Sequence, residues 1–301
     1  MVKKILVPLD GSKTAEHALP LARFLARRLG LSVQFLSVID LTELARSVSA
    51  AEGLYLDTLV ADDMRKSEEY LAQTAKTFPG SAVQWLVAKG KAADVIIETA
   101  AADNATLIAM ATHGRSGLNR FLLGSVADKI LRGASNPVLL VRATEGVQTD
   151  GEEPFTSIVV PLDGSEIAES VLPAVVELAQ RLDSEIVLFR AYNVPHSIYG
   201  GEDGRQPAIV AELIGGIKAE ARDYLEKKTV ELRERGARKV SYTLREGLSA
   251  DQIIALARKT PDNLIVMCSH GRSGVKRWVL GSVTETVVRH SGDPVLVMRA
   301  S

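Results

Sequence analysis

The chain repeats itself with a period near 150 residues, and this limits its fold more than any other feature. Pro8-Leu9-Asp10-Gly11-Ser12 returns as Pro161-Leu162-Asp163-Gly164-Ser165, an offset of 153. His113-Gly114-Arg115-Ser116-Gly117 returns as His270-Gly271-Arg272-Ser273-Gly274, and Leu123-Gly124-Ser125-Val126 as Leu280-Gly281-Ser282-Val283, both at an offset of 157. A period this long marks a duplicated domain rather than a solenoid. The growth of the offset places a four-residue insertion between the blocks, expected in the Gly- and Pro-bearing stretch from Val194 to Pro207. The predicted organisation is one domain over 1–143, a linker over 144–156 carrying Gly146, Gly151 and Pro154, and a second domain over 157–301.

Each copy alternates short apolar runs with longer amphipathic stretches. In the first, Ile5–Val7, Val33–Val38, Val83–Val87, Leu107–Ala111 and Val138–Val141 read as buried strands. The second repeats them as Ile158–Val160, Ile186–Phe189, Val240–Leu244, Leu264–Cys268 and Val295–Met298. Between them Ala18, Leu19, Leu21, Ala22, Leu25 and Leu29 recur at helical spacing up to Gly30, and further helices are expected from about Ala92 and about Gly124. The expected fold is α/β: two repeated domains, each a five-stranded doubly wound parallel sheet with helices on both faces. By analogy with such folds the strand order is taken as 3-2-1-4-5.

Composition removes several function classes. The first 150 residues hold 17 basic and 16 acidic side chains and the rest 19 and 21, so neither copy has the cationic excess of a nucleic-acid-binding domain. The single cysteine, Cys268, excludes an internal disulfide and cysteine-rich zinc sites. Only five uncharged residues separate Lys4 from Asp10, too few for a signal peptide, and no apolar run approaches the roughly 20 residues that span a bilayer. A soluble, cytoplasmic protein with no membrane partner is expected.

Ligands of doubly wound sheets bind beyond the carboxyl ends of the strands, where strand order reverses. Asp10 follows the first strand and Ala111–Gly117 the fourth, so residues a hundred apart would face one crevice. The loop after the fourth strand, Ala111-x-x-Gly114, nine residues, then Gly124-Ser125, carries the strongest chemical signal. Glycines let backbone N–H groups approach phosphate, and Ser125 would open a helix whose N-terminus favours an anion. The same serine starts an S-x-x-[DE] pattern, Ser125 with Asp128 and Ser282 with Glu285, which reads equally as a capping box. Asp10 and Asp163 suit a ribose, whose hydroxyls a carboxylate accepts, and suit a turn or cap as well. His113 and His270 have no adjacent nucleophile or orienting acid and read as structural loop residues. Arg115, Arg120, Arg272 and Arg277 read as solvated, with phosphate contact as the other use, and Cys268 reads as a core residue at a strand end. There is no Walker A pattern and no G-x-G-x-x-G fingerprint.

On these residues both copies resemble universal stress protein domains, members of the nucleotide-binding α/β group that includes electron-transfer flavoproteins. The family's ATP-binding pattern is Gly, two residues, Gly, nine residues, Gly, then Ser or Thr. Here it stands as Ala111-Thr112-His113-Gly114, RSGLNRFLL, Gly124-Ser125, and as Cys268-Ser269-His270-Gly271, RSGVKRWVL, Gly281-Ser282. Both copies depart at the first glycine, by a methyl at Ala111 and a thiol-bearing side chain at Cys268. The resemblance implies one ATP site of Pro8, Leu9, Asp10, Val38, Met110, Ala111, Gly114, Gly124, Ser125 and Val126. It implies a second of Pro161, Leu162, Asp163, Ala191, Met267, Cys268, Gly271, Gly281, Ser282 and Val283.

It further implies ATP with Mg²⁺ held mainly by phosphate and water, with no side-chain metal site. The expected function is a stress-response sensor or adaptor that binds adenine nucleotide. The alternatives are a slow ATP-hydrolysing enzyme, disfavoured because no general base can be assigned, and an interaction module that has lost nucleotide binding. The resemblance also implies an intramolecular pseudo-dimer of the two copies through their last strands, with a further homodimer open.

Overall fold

The computed structural model describes residues 2–41, 56–112, 123–144, 146, 149–193, 207–269 and 280–300. The chain divides into two units, Met1–Pro154 and Phe155–Ser301. In the first, β1 (Lys4–Pro8) is followed by α1 (Lys13–Glu16), α2 (Leu19–Leu29), β2 (Ser32–Ile39), α3 (Leu56–Ala75), β3 (Val83–Lys89), α4 (Ala92–Ala101), β4 (Thr106–Thr112), α5 (Ser125–Gly133) and β5 (Val138–Arg142). The second repeats the series as β6 (Ser157–Pro161), α6 (Glu166–Glu169), α7 (Leu172–Leu182), β7 (Glu185–Tyr192), α8 (Pro207–Glu234), β8 (Val240–Glu246), α9 (Ser249–Ala257), β9 (Asn263–Cys268), α10 (Ser282–His290) and β10 (Val295–Met298).

Within the first unit the strands lie in the order β3-β2-β1-β4-β5, and within the second β8-β7-β6-β9-β10, every pair parallel. Both are the 3-2-1-4-5 order. Consecutive residues of a strand point to opposite faces. Ile5, Leu6 and Val7 are each fully buried, as are Ile158, Val159 and Val160, so each central strand is covered on both sides. That cover is why these strands read as unbroken apolar runs rather than alternating ones. The order puts β1 beside β4 and β6 beside β9, and between their carboxyl ends the connections leave in opposite directions.

The stretch after Asp10 holds two helices, a short one before the helix that the spacing from Ala18 to Gly30 predicts. Ser12 caps the single turn α1 through its hydroxyl, and α2 starts anew with Pro20 in its first turn, where a missing N–H costs nothing. Gly30 ends α2 in the left-handed region at φ 62°, its N–H returning to the Ala26 carbonyl. In the second unit Asp183 takes that role at φ 55°, a conformation aspartate tolerates better than most residues, and its carboxylate meets Lys239 Nζ at 3.0 Å.

The extra four residues also fall differently from expectation. Tyr70 and Tyr224 bond equivalent glutamates, Glu16 and Glu169, and stand 154 apart, whereas Trp85 and Tyr242, which pair with equivalent positions of β2 and β7, stand 157 apart. Three of the four therefore lie beyond the tyrosine, where α8 runs on to Glu234 while α3 ends at Ala75. A helix absorbs them, so glycine and proline gave a misleading cue.

Part of the segment read as a linker is fastened to the first unit. The buried Arg23 guanidinium donates from Nε to the Thr77 carbonyl at 2.7 Å, from Nη2 to Thr77 Oγ1 at 3.0 Å, and from Nη1 to the Gly151 carbonyl. It also lies 4.8 Å over the Phe78 ring, and Arg27 pairs with Glu152 at 2.6 Å. Burial holds the Arg23 pKa below its ordinary value, with Glu152 and Asp150 opposing.

Candidate functional site

At the carboxyl end of each sheet a crevice opens where the order predicts it. That of the first unit, about 350 Å³, is lined by Pro8, Leu9, Asp10, Val38, Met110, Ala111, Gly124, Ser125 and Val126. That of the second, about 280 Å³, is lined by Pro161, Leu162, Asp163, Ala191, Met267, Cys268, Gly281, Ser282 and Val283. Within its own unit, each residue that the resemblance implied for the two sites thus lines the crevice, except Gly114 and Gly271. Those two, with His113, His270, Arg115, Arg120, Arg272 and Arg277, lie outside the described residues.

The local chain path explains the placement. β1 stops at Pro8, and Gly11, at φ +79°, turns the chain with a backbone that glycine alone adopts without strain; Gly164 repeats this at +86°. Asp10 Oδ1 accepts the Ser12 N–H at 2.9 Å, and Asp163 Oδ1 accepts from Ser165 N at 3.0 Å and from Ser165 Oγ at 2.6 Å. Each aspartate therefore stabilises its own turn while it lines the crevice. The turn reading of the residue holds in both units.

The capping-box reading fails. Glycine is the N-cap of both helices: Gly124 precedes α5 and Gly281 precedes α10, no described side chain caps either start, and Ser125 and Ser282 are already the first helical residues. The acids are drawn away from the helix start by arginines one turn on. Asp128 bonds Arg132 at 3.0 and 3.2 Å, and Glu285 bonds Arg289 at 2.8 and 3.1 Å. Among the described residues no side chain caps the first-turn N–H groups, which a helix cannot satisfy internally, at the crevice end of each unit.

The two crevices are not identical. Phe189 replaces Leu36, Cys268 replaces Ala111, and Thr284 replaces Ala127 along the walls. Cys268 is buried, its sulfur 3.9 Å from the Ser170 hydroxyl, and its carbonyl accepts the Thr284 hydroxyl at 2.9 Å. In the second unit the Gly281 N–H is already bonded to the Ser269 carbonyl at 2.8 Å, whereas the Gly124 N–H makes no such bond among the described residues. One backbone donor is thus spent in the second site, with no counterpart bond in the first among the described residues.

Sequence reasoning missed several lining residues. Ser12, Thr14 and Ala15 come from the turn and α1, Ala92 and Ile96 from α4, with Ser249 and Ile253 their counterparts in α9. Leu36 was legible, being two positions before Val38 and so on the same face of β2. The α4 and α9 residues had no signal, because nothing in their sequence tells which helix leans over the crevice.

Among the described residues no cluster of three or more His, Cys, Asp or Glu side chains could hold a metal ion, and no helix is long and apolar enough to cross a membrane. The described lining contains one titratable side chain in the first crevice, Asp10, and two in the second, Asp163 and Cys268.

Fold and crevices define a duplicated, doubly wound α/β protein with one ligand crevice at each switch point. The model of the universal stress protein family matches residues 1–142 and again 154–299, and the chain belongs to that family. A universal stress protein of Mycolicibacterium smegmatis is 25% identical over 308 residues, covering 98% of this chain and 96% of the relative. One from Methanocaldococcus jannaschii is 30% identical over 150 residues, 50% of this chain and 85% of the relative. One from Mycobacterium tuberculosis is 26% identical over 205 residues, 66% of this chain and 63% of the relative. The crystal structure of a universal stress protein from Archaeoglobus fulgidus superposes with a TM-score of 0.71 at 22% identity, covering 99% of this chain and 96% of that one, a likeness of fold.

Proposed function

We propose that the chain binds adenine nucleotide, ATP in particular, in the two crevices and acts as a stress-response sensor or adaptor rather than as an enzyme. The observation that carries this reading is the N-terminus of α5 at Gly124, which no described side chain caps, set in the same crevice as the Asp10 carboxylate. A helix start with unspent N–H groups is a phosphate site in waiting, and a carboxylate is a ribose hydroxyl acceptor. The apolar walls, Leu36, Val38, Ile96 and Met110 in the first unit, suit the faces of a purine.

In this reading Gly124, Ser125 and Val126 hold phosphate, Asp10 the ribose, and Pro8, Leu9, Val38, Met110 and Ala111 the base. Pro161, Leu162, Asp163, Ala191, Met267, Cys268, Gly281, Ser282 and Val283 do the same in the second unit, with Gly114 and Gly271 completing the loops. Mg²⁺ would be held by phosphate oxygens and water, in keeping with a lining poor in carboxylates. Binding is favoured over turnover because the one carboxylate of the described first-crevice lining, Asp10, is assigned to its turn and the ribose, which leaves no described side chain there as a base for a water. Duplication of a whole family domain supports an intramolecular pseudo-dimer, and the lone cysteine suits the reducing cytoplasm.

Mass spectrometry of small molecules released from the purified, denatured chain tests the reading, backed by titration with ATP and Mg²⁺. Adenine nucleotide in the released fraction or saturable binding is expected. Neither, at millimolar ATP, would favour an interaction module without a nucleotide.

A further inference from the structure

The one-turn helices α1 and α6 pose a question of stability. Four residues are too few to hold a helix in water, because the cost of the first turn is not repaid by propagation. Yet Thr14 and Ala15 of α1, and Ala168 of α6, are crevice walls. They must be held from outside.

Each is held at both ends. Ser12 Oγ accepts the Ala15 N–H at 3.1 Å and Ser165 Oγ the Ala168 N–H at 3.2 Å, which caps the start. At the other end Glu16 Oε1 accepts the Tyr70 hydroxyl at 3.0 Å, and Glu169 Oε1 accepts the Tyr224 hydroxyl at 2.7 Å. These tyrosines belong to the long helices α3 and α8, which pack on β2 and β3 and on β7 and β8. The same hydroxyl–carboxylate bond, between the same two elements, thus occurs independently in both units. Burial and the adjoining carboxylate push both phenols well above the ordinary tyrosine range, so each keeps its donor proton at neutral pH.

We propose that Tyr70 and Tyr224 are positioning residues for the crevices: through Glu16 and Glu169 each holds a one-turn helix, and the aspartate turn before it, in place as a crevice wall. The consequence for a ligand rests on the nucleotide reading above; the anchoring itself does not.

The two anchors differ in strength. Glu169 also pairs with Lys228 Nζ at 2.7 Å, and the Tyr224 ring lies 4.8 Å beneath the Arg190 guanidinium. The corresponding residues of the first unit are Thr74, whose hydroxyl turns back to the Tyr70 carbonyl at 2.9 Å, and Ser37, and among the described residues no cation pairs with Glu16. α1 depends on Tyr70 more than α6 depends on Tyr224.

Hydrogen exchange on the ligand-free full chain reads the anchoring directly. Tyr70→Phe and Glu16→Ala should each speed exchange of the Ala15–Ala18 amides by about tenfold, the scale of one charge-assisted hydrogen bond, while α5 and α10 keep their protection. Glu16→Gln keeps an acceptor and should restore most of the protection. Tyr224→Phe should have a several-fold smaller effect on α6. With ATP and Mg²⁺ as the probe, Tyr70→Phe should weaken binding to the first crevice by about tenfold. Unchanged exchange in both Tyr70→Phe and Glu16→Ala, or a uniform loss of protection across the unit, would overturn the proposal. A wild-type chain that binds no ATP yet shows the local change would sink the nucleotide reading and leave the anchoring standing.

Discussion

Asp10 accepts the backbone N–H of Ser12 through Oδ1 at 2.9 Å, and this one bond makes the aspartate both a turn-former and a crevice residue. The two duties separate by substitution. Asp10→Asn keeps an oxygen for the Ser12 N–H and loses only the charge, whereas Asp10→Ala loses both. Asp10→Ala should lower Tm by about 2–4 °C, the shift for about 1 kcal/mol in a chain of this kind, with Asp10→Asn near wild type. Both should weaken ATP binding to the first crevice, measured by calorimetry.

Gly124 has φ −57°, a conformation open to any residue, so its value lies in space and not in backbone freedom. Gly124→Val should leave Tm within a few degrees and reduce ATP affinity of the first crevice by at least about tenfold, since the side chain would stand over the helix N-terminus. An unchanged affinity would mean that phosphate is held elsewhere.

The first crevice should bind ATP more tightly than the second. It has the larger volume, about 350 against 280 Å³, a smaller residue at Ala111 than at Cys268, and a Gly124 N–H not already bonded within the described chain. Gly281→Val should therefore matter less than Gly124→Val. Cys268→Ala should narrow the difference without removing it, because the Gly281 N–H stays tied to Ser269.

Arg23 fastens residues 149–151 to α2 and Thr77, and its removal leaves several carbonyls without their donor. Arg23→Met should cost about 2–4 kcal/mol and speed proteolytic cleavage between residues 144 and 153, read by limited proteolysis with mass mapping. Cleavage at the wild-type rate would show that other contacts hold the segment.

Asp293 stands where the first copy has Asn136, and it accepts from Asn263 Nδ2 at 2.9 Å and Ser291 Oγ at 3.3 Å. Burial raises its pKa above the ordinary aspartate value; the bonds from Asn263 and Ser291 and the Arg258 charge oppose this only in part. A raised folded pKa means that the group favours the fold below its unfolded pKa of about 3.9, and that this contribution is lost as pH rises through the folded value. Asp293→Asn should therefore raise Tm at pH 7 relative to wild type, and the gain should shrink towards pH 4. A gain independent of pH would point to packing rather than charge.

The repeat and its apolar runs made the strands legible, because a strand buried on two faces must be apolar at every position, as Ile5–Val7 are, while the strand order, and with it the place of both crevices, came from analogy with doubly wound folds. The boundary between α1 and α2 was hidden, since Ala18 to Leu29 keep one period while Ser12 and Pro20 impose two separate starts. Ser125 with Asp128 satisfied a capping pattern that the structure does not form, because Arg132 competes for the carboxylate. The Tyr70–Glu16 contact joins residues 54 apart on elements whose packing no local pattern encodes.

In the proposed function each switch-point crevice holds an adenine nucleotide. Isothermal titration of the full chain with ATP and Mg²⁺, beside the Gly124→Val/Gly281→Val double variant, tests it most directly. Two sites of unequal affinity are expected in the wild-type chain, and loss of most of the binding heat in the variant, with its fold intact by circular dichroism. No saturable heat from the wild-type chain, or equal binding by the folded double variant, would contradict it.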